Sequence, residues 1–64
     1  MNTKHNMTVT TQALIAGDVL LQNGNKVVES TKRDMQNLGA TIIRFTDGSW
    51  FHAGTFDAHA IARH

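Results

Sequence analysis

Short runs of β-favouring residues, broken by glycine-containing turns, make up most of this chain. Thr41-Ile42-Ile43-Arg44-Phe45-Thr46 and Ser49-Trp50-Phe51-His52-Ala53 flank Asp47-Gly48. Val19-Leu20-Leu21-Gln22 and Lys26-Val27-Val28-Glu29-Ser30 flank Asn23-Gly24-Asn25. Asn-Gly and Asp-Gly supply the positive φ angles of tight connections, so each flanked pair predicts a β-hairpin. Two hairpins in so short a chain predict an all-β, mainly antiparallel domain.

The remaining segments are read around these two. Met7-Thr8-Val9-Thr10-Thr11 alternates and is rich in β-branched residues, which suits a strand or an extended arm. Ala13-Leu14-Ile15-Ala16 continues the apolar pattern to a bend at Gly17-Asp18. Between Thr31 and Gly39 two readings stand. One is a short helix over 31–38, capped by Thr31 with Asp34 three residues on, Met35 and Leu38 on one face and Gly39 as its stop. The other is a loop between strands. For Phe56 to Arg63, alanine content favours helix, while Ala58, Ala60 and Ala62 alternating with His59, Ile61 and Arg63 favour a turn and a closing strand. The strand is preferred. Residues 1–6 read as a polar tail and 7–64 as one small domain.

The faces of the second hairpin carry a further implication. A two-residue turn at Asp47-Gly48 pairs Thr46 with Ser49, Phe45 with Trp50, Arg44 with Phe51 and Ile43 with His52. One face then holds Ile43, Phe45, Trp50 and His52, and the other Ile42, Arg44, Phe51 and Ala53. Neither face is polar. The first hairpin repeats the conflict, with Leu20 beside Val27 on one face and Leu21 beside Val28 on the other. Two apolar faces predict a cover on each: a homo-oligomer with Trp50 or Phe51 as its anchor, or a barrel so small that bulges and curvature bury both faces in places.

Length strengthens that reading. Sixty-four residues bury only about 60% of their unfolded surface, so the core is marginal without a staple. With no cysteine, neither a disulfide nor a cysteine zinc site is available, and a reducing cytosol is the expected setting. No apolar run approaches the roughly 18 residues of a membrane span, and residues 1–6 lack the form of a signal peptide. Six Lys and Arg against five Asp and Glu give a net charge of +1, which argues against general duplex binding through phosphates.

Candidate chemistry is sparse. His5, His52, His59 and His64 follow no helical ligand spacing and have no cysteine beside them, so no metal is assigned. The five carboxylates are spread singly, with turn roles for Asp18 and Asp47, and no catalytic constellation forms. Lys32-Arg33 and Arg44 are the basic concentration. They suit an anion-binding wall, with Trp50, Phe51 or Phe56 available to stack on a base. The competing reading leaves Lys32 and Arg33 solvated and pairs Arg44 with a carboxylate.

The run Ile15-Ala16-Gly17-Asp18-Val19-Leu20, followed by Gly24-Asn25-Lys26-Val27-Val28, Gly39, Asp47-Gly48 and a short final segment, resembles small SH3-like β-barrels. Its opening is similar to KOW-type barrels and to short barrels encoded by bacteriophages, over roughly Leu14 to Arg63. Only Lys26 stands where KOW proteins carry a basic cluster. The resemblance implies a small SH3-like barrel, or a curved five-stranded sheet. It also implies a non-enzymatic phage accessory protein in the host cytosol. As an oligomer it would hold an anionic ligand, such as a nucleotide signal, in intersubunit pockets lined by Arg44, Lys32, Arg33, Trp50 and Phe51. A nucleic-acid-binding barrel and an inhibitor that docks on a host protein are the alternatives. No cofactor is implied.

Overall fold

In the computed structural model, which describes residues 5–37 and 39–63, the chain is all-β. Six antiparallel strands form one open, curved sheet: β1 (His5–Thr10), β2 (Val19–Leu20), β3 (Lys26–Arg33), β4 (Ala40–Phe45), β5 (Trp50–Gly54) and β6 (Ala58–Arg63). Their spatial order is β1-β6-β2-β3-β4-β5. The count is six rather than five because the first alternating segment, up to Thr10 and extended back to His5, pairs with β6 from His5↔Arg63 to Thr10↔Ala58, while Thr11 leaves the ladder for a 3-10 turn over Thr11–Ala13. His5 and Asn6, expected in a tail, therefore open β1; residues 1–4 of that tail lie outside the described residues.

No helix forms over 31–38. Thr31, Lys32 and Arg33 continue β3 opposite Ile43, Ile42 and Thr41. Asp34, expected in a capping box, builds a turn instead. Its carboxylate accepts the Gln36 N–H at 2.9 Å, and its carbonyl accepts the Asn37 N–H. The local side-chain bond competes with a helical turn, and the eight-residue strand before it adds a full ladder that a two-turn helix lacks. Leu38, proposed for the helix face, lies outside the described residues. After a turn at Thr55-Phe56, the alternation in 58–63 gives β6, the strand preferred from sequence. It pairs with β1 on one side and β2 on the other.

Both hairpins form with connections longer than two residues. Around Asp47-Gly48 the pairs are Arg44↔Trp50, Ile43↔Phe51 and Ile42↔His52, one position away from the expected register. The Phe45 carbonyl accepts the Gly48 N–H at 3.1 Å, and Gly48 stands at φ +90°. This is a three-residue loop in which a type I turn ends in a left-handed glycine. In the first hairpin Val19 pairs with Val27 and Leu20 with Lys26. Leu21 leaves the ladder for a 3-10 turn over Leu21–Asn23, with Gly24 and Asn25 both at positive φ behind it.

A one-residue slip exchanges the faces of a strand. In the observed register Ile43, Phe45, Thr41 and Ala53 point inward and are buried, whereas Arg44, Trp50 and His52 point outward and are exposed. The second hairpin thus has one core face and one solvent face, and the expectation of two apolar faces is corrected. Leu14, Leu20, Val28, Ile43, Phe45, Ala53 and Ile61 make one core, with Met7 and Val9 packed against it.

Two polar links hold the curve. Asp18 is buried, and its carboxylate takes both Arg63 Nε and Nη2 at 2.8 Å and the Ile15 N–H at 3.0 Å. Burial alone pushes this carboxyl up; the Arg63 and Ile15 hydrogen bonds outweigh it and hold the acid below its ordinary 3.8. Asp18 is therefore more than the turn residue expected from sequence. Across the sheet, Thr11 Oγ1 donates to the Gly54 carbonyl at 2.7 Å and lies 2.6 Å from His59 Nε2. The hydroxyl has a single proton, so Nε2 of His59 carries the hydrogen in that second contact.

Candidate functional site

The outward face of β3, β4 and β5 gathers Lys32, Arg44 and Trp50. Cross-strand neighbours share a face, so the observed register sets Ser30, Arg44 and Trp50 in one row, and Lys32, Ile42 and His52 in the next. Ser30, Lys32, Ile42 and Arg44 line an open hollow of about 340 Å³. Trp50 borders these rows from β5. It is 59% exposed, and its ring meets His52 edge-on at 5.1 Å between centroids. His52 Nε2 stands 3.6 Å from the Asp34 carboxylate at the end of β3.

A bulge decides which β3 residues reach this face. Pairing runs Val28↔Phe45 and then Ser30↔Arg44, so Glu29 is the extra residue. Unbroken alternation from the buried Val28 would turn Ser30 and Lys32 inward. The bulge reverses the phase and brings both beside Arg44 and Ile42.

Among the described residues, neither Lys32 nor Arg44 makes a salt bridge or a side-chain hydrogen bond. Two other cations, Arg63 and Lys26, have structural partners. Arg63 holds Asp18. Lys26 bonds Ser49 Oγ at 2.8 Å, lies 3.4 Å from the Asp47 carboxylate and sits over the Phe45 ring at 5.5 Å. Asp47 is itself held below its ordinary value, chiefly by the Ser49 hydroxyl and backbone N–H. Two cations without counter-charges on one surface, beside an exposed indole, provide what a phosphate and a flat ring require.

The five residues singled out from sequence divide between the two faces. Arg44, Lys32 and Trp50 come together. Arg33, opposite Thr41, and Phe51, opposite Ile43, fall on the other side of the sheet. Phe56 lies in the β5–β6 turn, 77% exposed. Sequence reasoning passed over Ser30, Ile42, His52 and Asp34 as members of this face. Alternation links Ile42 to Arg44 and His52 to Trp50, so those two were within reach; Ser30 depends on the bulge. His59, apart from this face, is buried at 6% exposure against Thr11.

Among the described residues no three His, Asp or Glu side chains cluster as a metal site would, and no helix is long and apolar enough to cross a membrane. Comparison of the chain with protein-family models, with curated proteins and with solved structures finds no match.

Proposed function

We propose that this protein is a non-enzymatic binding protein for an anionic ligand carrying a flat base, a nucleotide in the first instance. The observation that carries the reading is the pair Lys32 and Arg44, without carboxylate partners, around one hollow beside the exposed Trp50. About 340 Å³ lies at the lower end of the roughly 300–1,000 Å³ typical of small-molecule sites. Arg44 presents a fork of donors to phosphate oxygens, Lys32 a point charge, and Trp50 a stacking surface. Arg33 and Phe51, expected in the same site, are left out of it. The face is open to water, which suits reversible binding better than chemistry on the bound ligand.

Trp50 is the only tryptophan of the chain, so its fluorescence reports this face alone. Titration with ATP is expected to quench it, and added salt to reverse the effect. Arg44→Ala and Lys32→Ala are each expected to weaken binding by about tenfold, the loss of one charge-assisted bond. Unchanged fluorescence at millimolar ATP, or full binding by Arg44→Ala, rules the reading out.

The openness of the hollow favours a second reading, a segment of single-stranded nucleic acid laid across β3–β5. A short oligodeoxythymidylate would then bind tighter than ATP, and its affinity would fall steeply with salt.

A further inference from the structure

The sheet is open, and β5 is one of its two edges. The Phe45 N–H bonds the Ser49 carbonyl at 2.9 Å, and the Thr55 N–H bonds the Gly39 carbonyl at 2.9 Å. Antiparallel pairs alternate between bonded and non-bonded. Phe51 and Ala53 therefore exchange bonds with β4, while Trp50, His52 and Gly54 direct their backbone groups away from the sheet. Gly54 is already satisfied, its N–H by the Asp57 carboxylate at 2.9 Å and its carbonyl by Thr11 Oγ1 at 2.7 Å. At the other end the Ser49 N–H is taken by Asp47 at 2.8 Å. Among the described residues, the backbone groups left open on this edge are those of Trp50 and His52.

We infer that this two-residue window is filled by the same window of a second copy, β5 against β5 in antiparallel register centred on Phe51. Trp50 then faces the partner's His52, and His52 the partner's Trp50. Each pair exchanges two bonds, so four hydrogen bonds close every open donor and acceptor of the window. A longer peptide strand would meet edge groups already taken by Asp47, Asp57 and Thr11, and its own further donors would go unmatched. A second copy presents the same short window and leaves nothing over. Side chains favour the same choice: on one side of the edge the two Phe51 rings, each 40% exposed, meet across the two-fold axis. The other edge, β1, offers no comparable aromatic area.

The pairing carries the outward rows of both protomers into one surface. Arg44, Trp50, the partner's His52 and the partner's Ile42 fall in line, so two Lys32–Arg44 pairs flank two Trp50 rings on a single face. This dimer does not depend on the ligand reading. A dimer that ignores ATP supports the pairing and removes only the nucleotide.

Native mass spectrometry and sedimentation equilibrium at tens of micromolar chain are expected to give a dimer. Phe51→Lys, which lies off the Lys32–Arg44 face and sets like charges together at the axis, is expected to raise the dissociation constant by at least about tenfold. His52→Pro deletes an N–H that bonds nothing within the protomer, a place where an edge strand accepts proline, and is expected to weaken the dimer likewise. Hydrogen exchange on the unaltered chain tests the register directly. The Trp50 and His52 amides should slow as concentration rises, while Phe51 and Ala53 stay protected throughout. A monomer at half-millimolar chain, a dimer untouched by both substitutions, or concentration-independent exchange at Trp50 and His52 overturns the pairing.

Discussion

Asp18 and Arg63 show how much one side-chain pair does in so small a core. The aspartate is almost fully enclosed, whereas the arginine keeps 27% of its side chain exposed. Removing the arginine leaves a buried carboxylate with only the Ile15 N–H beside it. Arg63→Ala is therefore expected to cost about 2–4 kcal/mol, somewhat under the full value for a wholly buried pair, read as a lower urea midpoint at unchanged m. Because the folded Asp18 is a stronger acid than the unfolded one, its contribution is complete above about pH 5. It is lost as pH falls through 3.8 towards the lower folded value. Acid titration of stability should show this loss in the native chain and little of it in Arg63→Ala. Thr11→Val tests the second link. It keeps the shape but leaves the buried His59 N–H without its acceptor, and the expected loss is about 1–3 kcal/mol. Equal stability of Thr11→Val and the native chain would show that water replaces the hydroxyl.

Among the elements, the hairpin connections have the largest consequences. Gly48 holds φ +90° where the type I turn rejoins β5. Gly48→Ala meets open space yet forces a side chain into a backbone region that L residues rarely adopt. A loss of about 1 kcal/mol or more is expected in thermal unfolding, with the hairpin amides exchanging faster. Gly54 differs: a Cβ there would lie 2.9 Å from the Asp57 carboxylate that caps its N–H. Gly54→Ala should displace that carboxylate and expose a further edge donor. The presence of both hairpins was legible in Asn23-Gly24 and Asp47-Gly48. Their registers were not, because Asp-Gly serves a two-residue turn and a three-residue turn equally well. That single ambiguity turned a half-polar hairpin into one with two apparent apolar faces. The β3 bulge was equally hidden, since nothing in Val27-Val28-Glu29-Ser30 marks which residue leaves the ladder. Arg44 and Trp50 were legible as candidates; their union with Lys32, and the separation of Arg33 and Phe51, followed from register and bulge.

For the whole molecule, the extents of 42 × 23 × 16 Å describe one thin curved layer. A core this shallow gains little from burial alone, which is why the Asp18–Arg63 and Thr11–His59–Gly54 links carry weight. Ile15, Leu21, Met35, Trp50, Phe51 and Phe56 remain exposed and are spread over strands and turns rather than along one face. The faces of the sheet therefore give no reason for self-association, whereas its β5 edge, with two residues open, does. If β5 pairs as inferred, the melting temperature will rise with chain concentration, and Phe51→Lys will abolish that dependence. Sequence by itself determined the class of this fold: β-branched alternation and two glycine turns act locally, through φ preferences and pleat period. It also favoured the closing strand, which pairing with β1 and β2 decided, and supplied the residue types able to meet an anion. Only the tertiary structure decided which of those residues meet. Face and neighbour depend on register, and register is set by a left-handed glycine, one bulge and the collective burial of Ile43, Phe45 and Val28, none of which a residue specifies alone.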